Sequence, residues 1–458
     1  LTPTFAEEVN CGVETCSLAS NPVTLSGNIV GTPADCSDPT ATLSLSSQAD
    51  VDNFPCTTVA GVLSLSSSAT STDPITSLSP GLDKLTQVDG LLKIDVGGIT
   101  SLNGLGNVTH LGALSINNAG LLTDISALGG LTSLGPRNCQ PEATLTQSAA
   151  CETQINIISS TITQLPAWTI RGGTDLETLS LTGLPLAVPT QLDDLPVPST
   201  NLTLIGLPLD TGQPGQLQAL ERIAAAAKDR VTLTGMPNVK ALPTPPPTSL
   251  VVLDNLAGIT PTALSPIRNV EKINITNKMP GLAGPNPLAG LANGTFSVLT
   301  LQLLDNVSTL GGLSTVTSLE NLIIAGNPTL TDLEGLQNLT TIQRLTLGKN
   351  RQLQNLNGLR GLTGTVEFID IKDNKALTDI TGLAGITGVS DSVIVYQNGI
   401  TECDVLVKSR LNPQPSGTYY VDPACVYAAP TLTSSATALD FGSGLIGSTI
   451  DRSVTFQN

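Results

Sequence analysis

The chain has 458 residues and a mass of 47.0 kDa, a length typical of about three ordinary domains unless the sequence is a repeat array. Hydrophobic residues make up 40% of the chain and aromatic residues only 2%, so Leu, Ile and Val must supply the core. With 37 acidic and 20 basic residues the formal net charge is −17, which repels a phosphate backbone. We therefore expect no nucleic-acid partner.

The length of the hydrophobic runs and the identity of the first residue indicate whether the chain spans a membrane or has lost a signal peptide. No apolar run approaches the roughly 18 to 20 residues that a membrane-spanning helix needs, because Gly, Pro, Asn or Asp interrupts every Leu-rich stretch. The chain begins with Leu1 rather than Met, which suits removal of a signal peptide and equally any other shortening. We therefore expect no membrane span in this segment.

Eight cysteines, an even number grouped toward the two ends with one close pair between them, indicate a set of disulfides. A zinc site would favour closely spaced cysteines together with histidine, of which the chain has one. The first four cysteines can pair in three ways, and we expect the one that joins Cys11 to Cys16 and Cys36 to Cys56. The expected pairs are Cys11–Cys16, Cys36–Cys56, Cys139–Cys151 and Cys403–Cys425. Such a set predicts an oxidising, extracellular location.

A repeat occupies the C-terminal part of the chain. Segments that start at Leu319, Ile342, Val366 and Asp391 follow the frame L-x-x-L-x-L-x-x-N-x-x-L-x-x-L-x-G-L-x-x-L, with asparagines 23, 24 and 24 residues apart. This period is typical of leucine-rich repeats. The L-x-L core predicts a short strand, and the asparagine of each coil is predicted to hydrogen-bond the backbone of neighbouring coils. This asparagine ladder is predicted to comprise Asn306, Asn327, Asn350, Asn374 and Asn398.

Earlier copies of the strand core occur as CTTVAGVLSL from Cys56, VDGLLKI from Val88 and HLGALSI from His110. The pattern C-x-x-V-x-G-x-L-x-L, followed by LTDISAL-type coils, resembles the receptor L-domain and its leucine-rich-repeat relatives over residues 56–134 and 298–400. The resemblance implies a right-handed solenoid with a disulfide-bearing N-terminal cap. We thus expect a β-rich solenoid of the leucine-rich-repeat or L-domain type.

Between residues 152 and 298 the coils persist at irregular spacing, for example in LETLSLTGL and SLVVLDNL. The segment 216–230, QLQALERIAAAAKDR, is rich in helix formers and predicts one inserted helix that replaces a return wall. The domain layout predicted from these features is a disulfide-bearing N-terminal cap at 1–56, L-domain-like repeats at 57–151, irregular coils at 152–298, regular leucine-rich repeats at 299–402, a disulfide C-terminal cap at 403–430 and the first strands of a β-sandwich at 431–458.

Few residues suggest chemistry. His110 is the single histidine and lies in a repeat strand, so we expect a structural role, no histidine-based catalytic triad and no two-histidine metal site. Asp124, Asp332 and Asp379 each follow a threonine at the same place in their coils, which indicates turn chemistry rather than a catalytic acid and base. We expect no catalytic residues, no metal site and no cofactor, and hence no enzyme.

Sequons for N-glycosylation occur at several places, at about the frequency that so many Ser and Thr residues produce by chance. Asn306 also carries the motif, but we assign it to the ladder. The candidate glycosylation sites are Asn107, Asn201, Asn274, Asn293 and Asn338.

A partner is expected on the strand face of the regular coils. Side chains that flank each inward L-x-L point outward, and Phe368 and Tyr396 are aromatics in a chain with few of them. Aromatics on a repeat face are typical interface anchors, although the C-terminal cap could cover them instead. The predicted partner face comprises Ile323, Arg344, Phe368, Lys372, Ile394 and Tyr396.

The C-terminal segment LDFGSGLIGSTIDRSVTFQN resembles the opening strands of hydin-type immunoglobulin-like domains. The matching residues are Leu439, Phe441, Gly442, Gly447, Val454 and Asn458. The resemblance implies either a longer chain, which we favour, or an edge completed by another molecule through strand addition.

We expect an extracellular structural or adhesive protein, the rigid head of a surface protein or filament of the cell-wall, flagellar-hair or adhesin type. It is expected to assemble with copies or with other surface proteins and to carry attached glycans. The alternative is the ligand-binding ectodomain of a receptor.

Overall fold

The structure is a computed structural model. It describes residues 36–67, 71–135, 137, 152–168, 170, 176–186, 189–213, 215–401, 404–406, 410–422, 433–434 and 456–457. In this part of the chain no helix is long and apolar enough to cross a membrane.

The described chain winds into a β-solenoid of about 15 turns, and its strands form one 18-stranded sheet in which every pairing is parallel. Most strands pair with the next along the chain, whereas the two-residue strands β2 and β6 lie beside β4 and β5. The strands are β1 (Thr42–Leu45), β2 (Thr58–Val59), β3 (Val62–Ser67), β4 (Gln87–Val96), β5 (His110–Ile116), β6 (Ser133–Leu134), β7 (Gln154–Ile158), β8 (Thr178–Thr182), β9 (Asn201–Ile205), β10 (Arg230–Thr234), β11 (Thr248–Asp254), β12 (Val270–Thr276), β13 (Val298–Gln302), β14 (Ser318–Ala325), β15 (Thr341–Gly348), β16 (Gly364–Lys372), β17 (Ile386–Tyr396) and β18 (Tyr419–Val421).

The L-x-L motif forms the core because alternate residues of a strand point to opposite sides. In β14, Leu322 and Ile324 are fully buried, whereas Asn321 and Ile323 between and beside them are half-buried on the outer side. Inward side chains of this kind form one continuous apolar core from Cys36 to Leu411. A single coil cannot bury its apolar side alone, so each coil is stabilised by the next.

The return wall consists of short 3-10 turns rather than strands, several of them formed by the G-L motif. The 3-10 turns are Ser126–Gly130, Pro189–Asp194, Pro261–Leu264, Ala289–Leu291, Asn357–Leu359, Thr381–Leu383 and Asp404–Leu406. Glycine is required here because a Cβ on Gly358 would overlap the Leu333 carbonyl, and one on Gly382 would overlap the Leu356 carbonyl. The backbones of successive coils therefore touch along this wall.

Two α-helices occur in the described residues, α1 (Gln48–Asp52) and α2 (Gln216–Ala224). The helix predicted over 216–230 exists, but it is shorter than predicted. It ends at Ala224. Beyond it, Lys228 and Asp229 donate their backbone N–H groups to the carbonyls of Ser199 and Thr200 in the preceding coil, and Arg230 starts β10. Hydrogen bonds to the preceding coil therefore replace the helical ones that residue propensity alone would predict.

The sheet also extends beyond the predicted repeats at both ends. β1 lies within the stretch predicted as N-terminal cap and pairs with β3, and β18 lies within the predicted C-terminal cap and pairs with β17. Cys36 and Cys56 form a disulfide with a Cα–Cα distance of 6.0 Å. The other six cysteines lie outside the described residues.

Little of the C-terminal segment belongs to the described part. Two short strands, β19 (Thr433–Ser434) and β20 (Phe456–Gln457), pair antiparallel in a sheet of their own. The six residues that carry the immunoglobulin-like resemblance lie outside the described residues; they are Leu439, Phe441, Gly442, Gly447, Val454 and Asn458.

Gly382→Ala tests the contact between coils. We expect the substitution to lower the free energy of unfolding by on the order of 2–3 kcal/mol, because the new methyl group overlaps the carbonyl of Leu356. Urea unfolding followed by circular dichroism measures the loss. Gly106→Ala is the matched control, since a Cβ there meets nothing within 4 Å and its expected effect is within about 0.5 kcal/mol. Equal stability of the two variants would contradict close packing of the return wall.

Candidate functional site

The name C-terminal face is used here for the outward side chains of β14 to β17 from the aligned residues Asn321, Arg344, Phe368 and Ser392 onward, together with those of β18. All six residues of the predicted partner face lie on it, and each is half-buried. Parallel pairing aligns outward side chains of successive coils in rows across the strands. One row contains Arg344 and Phe368, a second contains Asp370, Ile394 and Tyr420, and a third contains Lys372 and Tyr396. The face is therefore a small grid of aromatic, aliphatic and charged side chains on a rigid sheet.

Arg344 and Phe368 form a stacked pair on this grid. The guanidinium carbon of Arg344 lies 4.5 Å from the centre of the Phe368 ring, the arrangement of a cation–π contact. The same guanidinium donates from Nη1 to Oε1 of Glu367 at 2.6 Å. These two contacts hold the Arg344 side chain over the ring, so the pair presents one ordered surface.

Asp370 and Lys372 form an ion pair beside this stack. Asp370 is only 7% exposed, although it points to the outer side of the sheet. Lys372 donates from Nζ to Asp370 Oδ2 at 2.6 Å, and this hydrogen bond raises the pKa of Lys372 above its ordinary value. The second oxygen, Asp370 Oδ1, is buried and accepts no hydrogen bond within the described part of the chain. An unpaired buried oxygen of this kind lowers the stability of the folded chain.

The C-terminal end of the face carries two tyrosines. Tyr396 and Tyr420 make an edge-to-face contact with ring centres 6.1 Å apart, and Tyr420 is 48% exposed. Tyr419, its neighbour in β18, donates its hydroxyl to the Leu406 carbonyl at 2.8 Å and is thereby anchored to the solenoid. The residues predicted as a cap therefore extend the face. The sequence prediction omitted Tyr420, although the clustering of tyrosines near the C-terminus could have suggested it.

Four of the five predicted ladder asparagines are linked by hydrogen bonds inside the solenoid. Oδ1 of Asn350 accepts from the backbone N–H of Asn327 at 3.1 Å, and Nδ2 of Asn350 donates to the Ile324 carbonyl at 2.9 Å. Asn374 and Asn398 repeat these contacts one and two coils further on. The ladder begins at Asn327, whose Oδ1 accepts a hydrogen bond from the backbone N–H of Leu304 in the preceding coil.

The ladder assignment of Asn306 is wrong. Its side chain is exposed, and Nδ2 donates to the carbonyl of Pro280 at 3.0 Å. The ladder position of that coil belongs to Leu304, which is fully buried. Asn306 follows two residues later, on the outer part of the turn.

The structure brings His110 together with Asp89 and Ser133 on three consecutive coils. Nδ1 of His110 lies 2.8 Å from Ser133 Oγ, and Nε2 lies 3.5 Å from Asp89 Oδ1 without forming a hydrogen bond. Burial and, secondarily, the charge of Arg137 lower the pKa of His110. The three residue types are those of a catalytic triad, a combination that we did not expect from the sequence. The contacts join β4, β5 and β6 through a polar row in which His110 is buried and Asp89 and Ser133 are half-buried.

The repeated aspartates lie in turns. Asp124, Asp332 and Asp379 each accept, through Oδ1, the backbone N–H of the residue two positions later, at 2.8, 2.9 and 2.8 Å. Side-chain hydrogen bonds from Ser126 and Thr381, together with these backbone contacts, lower the pKa values of Asp124 and Asp379. Within the described ranges, no group of three or more His, Cys, Asp or Glu side chains could hold a metal ion.

The candidate glycosylation sites differ in environment. Asn107 and Asn338 are exposed, and each donates Nδ2 to a carbonyl of the preceding coil, Asp83 and Ser314 respectively. Asn293 is exposed in a turn at φ 69°. Asn201 and Asn274 are half-buried within strands of the sheet.

No family model matches this chain, and no curated protein is significantly similar to it.

Asn350→Ala tests the ladder. We expect the free energy of unfolding to fall by about 2–3 kcal/mol, because the buried Asn327 N–H and Ile324 carbonyl each lose a partner. Chemical denaturation gives the value. Asn306→Ala is the control, with an expected change within about 0.5 kcal/mol since Asn306 is exposed. A similar loss for both variants would contradict the distinction drawn between them.

Stability is expected to depend on His110 below neutral pH. Because the folded pKa is lowered, the unfolded chain binds a proton first as the pH falls through about 6.5, and the free energy of unfolding decreases by about 1.4 kcal/mol for each unit of lowering. The loss is complete below the folded pKa. Asp89, Ser133 and Arg137 are unchanged in His110→Gln. Denaturation curves measured at a series of pH values should therefore show that this variant lacks the extra loss of stability as the pH falls below about 6.5. An unchanged slope would contradict the assignment to His110.

Proposed function

We propose that this chain is a non-enzymatic, extracellular structural and adhesive repeat protein that acts by protein–protein assembly. In this proposal the solenoid is the rigid head of a longer surface protein or filament. The observation that supports it best is the C-terminal face, where aromatic, aliphatic and charged side chains are held in register on an extended sheet.

Rigidity follows from how the coils are joined. One continuous core connects the coils, and the asparagine ladder adds buried hydrogen bonds between the regular coils. Ordered side chains lose little conformational entropy when a partner binds. Such a scaffold therefore suits a surface that must present several side chains at constant spacing.

The chemistry of the face suits a protein partner. Tyr420, Tyr396 and Phe368 are of the residue types that dominate binding energies at protein interfaces, and Arg344 is of the basic type most enriched there.

The expected location rests on weaker support. The Cys36–Cys56 disulfide favours an oxidising compartment, and the resemblances to the L-domain and to hydin-type immunoglobulin-like domains favour a surface protein. The cell-wall, flagellar-hair and adhesin types all agree with these features. Attached glycans at the exposed sequons belong to the same proposal.

A ligand-binding receptor ectodomain is the second candidate, because the same face could bind a soluble protein. The two functions differ in what the isolated chain does. An assembly protein associates with its own copies, whereas a receptor head remains monomeric and needs its ligand.

Sedimentation velocity over a range of concentrations tests the proposal. We expect reversible self-association of the chain, weakened at least about tenfold by Tyr420→Ala or by Phe368→Ala, since each removes an aromatic contact of the face. Leu121→Ala is the matched control: Leu121 is also exposed, but it lies outside the C-terminal face, so its variant should associate like the parent chain. Circular dichroism confirms that the variants are folded.

Two outcomes would contradict assembly through this face. The first is a chain that stays monomeric at the highest attainable concentration. The second is association that Leu121→Ala weakens as much as Tyr420→Ala. A monomeric chain that binds a purified soluble ligand, and loses that binding on Tyr420→Ala, would support the receptor function instead.

A further inference from the structure

A groove of about 760 Å³ runs across the edge of the sheet where β12 to β16 begin. This edge is opposite to the asparagine ladder, which follows the ends of the strands. The groove crosses five successive coils and shares no residue with the predicted partner face. A ligand that fills it must therefore be long and thin, and must lie along the solenoid axis.

The groove has an apolar floor and polar walls. Val270, Leu319 and Ile342 are buried beneath it, and each is flanked by polar residues on both sides in the sequence. Since neighbouring strands lie about 4.8 Å apart, the polar side chains recur at close to the length of one sugar ring. The side chains that line the groove include Glu271, Phe296, Ser318, Glu320, Thr341 and Gln343.

Hydrogen bonds between coils fix part of the polar wall. Thr341 donates its hydroxyl to Ser318 Oγ at 2.8 Å, and Thr295 donates to Asn269 Oδ1 at 3.0 Å. Glu320 and Gln343 lie side by side on β14 and β15, both exposed, and within the described chain neither side chain makes a hydrogen bond. A carboxylate and an amide in this arrangement can accept from and donate to adjacent hydroxyl groups.

The groove disfavours two other kinds of linear polymer. A peptide cannot bind by strand addition, because β12 to β16 are each hydrogen-bonded to a strand on both sides. A polyanion is disfavoured, because both ionisable side chains that line the groove are carboxylates, Glu271 and Glu320, and Lys272 beside the groove is paired with Glu271 at 2.9 Å.

We propose that this groove binds an extended, neutral polysaccharide. Phe296, which is half-buried and packed against the core, offers a ring against which a sugar can stack, and Glu320 and Gln343 hydrogen-bond sugar hydroxyls. Binding of a polysaccharide is a function separate from assembly through the C-terminal face. Either one can fail without affecting the other.

Isothermal titration calorimetry with cellohexaose and laminarihexaose, two neutral glucan fragments, tests the proposal on the whole chain. We expect at least one of them to bind, while oligogalacturonate of the same length, which is anionic, does not. Glu320→Ala and Gln343→Ala should each raise the dissociation constant at least about tenfold. Both residues are exposed, so their variants are expected to fold.

Thr346→Ala is the control, because Thr346 lies on the same strand as Gln343 but outside the groove, and its variant should bind like the parent chain. Three results would overturn the proposal. They are the absence of heat from both neutral hexasaccharides at millimolar concentration, equal binding of oligogalacturonate, and unchanged affinity in both groove variants.

Discussion

Parallel, in-register stacking of short strands is the interaction on which the rest of this structure depends. Each coil offers only two or three inward apolar side chains per strand, and these are buried only when the next coil covers them. Stacking requires backbones to touch along the return wall, which explains why a side chain at Gly382 cannot be accommodated. Strand pairing, core and return wall thus form a single cooperative arrangement.

The same stacking makes a polar interior tolerable. A buried amide is costly unless its hydrogen bonds are satisfied, and Asn350 satisfies its own through the coils on both sides. Earlier coils use apolar residues at this place. There the backbone N–H of Leu256 donates to the sulfur of Met279 at 3.1 Å, a weaker substitute. The regular coils are therefore the part of the solenoid most strongly tied by buried polar contacts.

Both proposed binding surfaces are consequences of register. On the C-terminal face, pairing between strands places Arg344 over Phe368 and brings Tyr396 against Tyr420. At the opposite end of the strands, the same pairing aligns polar residues of five coils into a groove. A repeat protein can in this way carry separate surfaces for a protein and for a glycan on one scaffold.

Much of the repeat could be predicted because its period is visible in the chain. The strand cores, and the asparagines at 327, 350, 374 and 398, recur every 23 or 24 residues. The same period, counted back from Asn327, arrives at Leu304, so the error at Asn306 came from following residue type instead of spacing. The helix α2 was predicted from its composition, but its end was not, because backbone hydrogen bonds of Lys228 and Asp229 to the preceding coil override helix propensity.

The sequence by itself determined the period, the inward residues and the solenoid class, since these depend on patterns within a single coil. Only the tertiary structure decided which outward side chains become neighbours. His110 meets Ser133, and Glu320 lies beside Gln343, because of the register between coils. That register is set by backbone hydrogen bonds and by the packing of the core, which no single coil encodes.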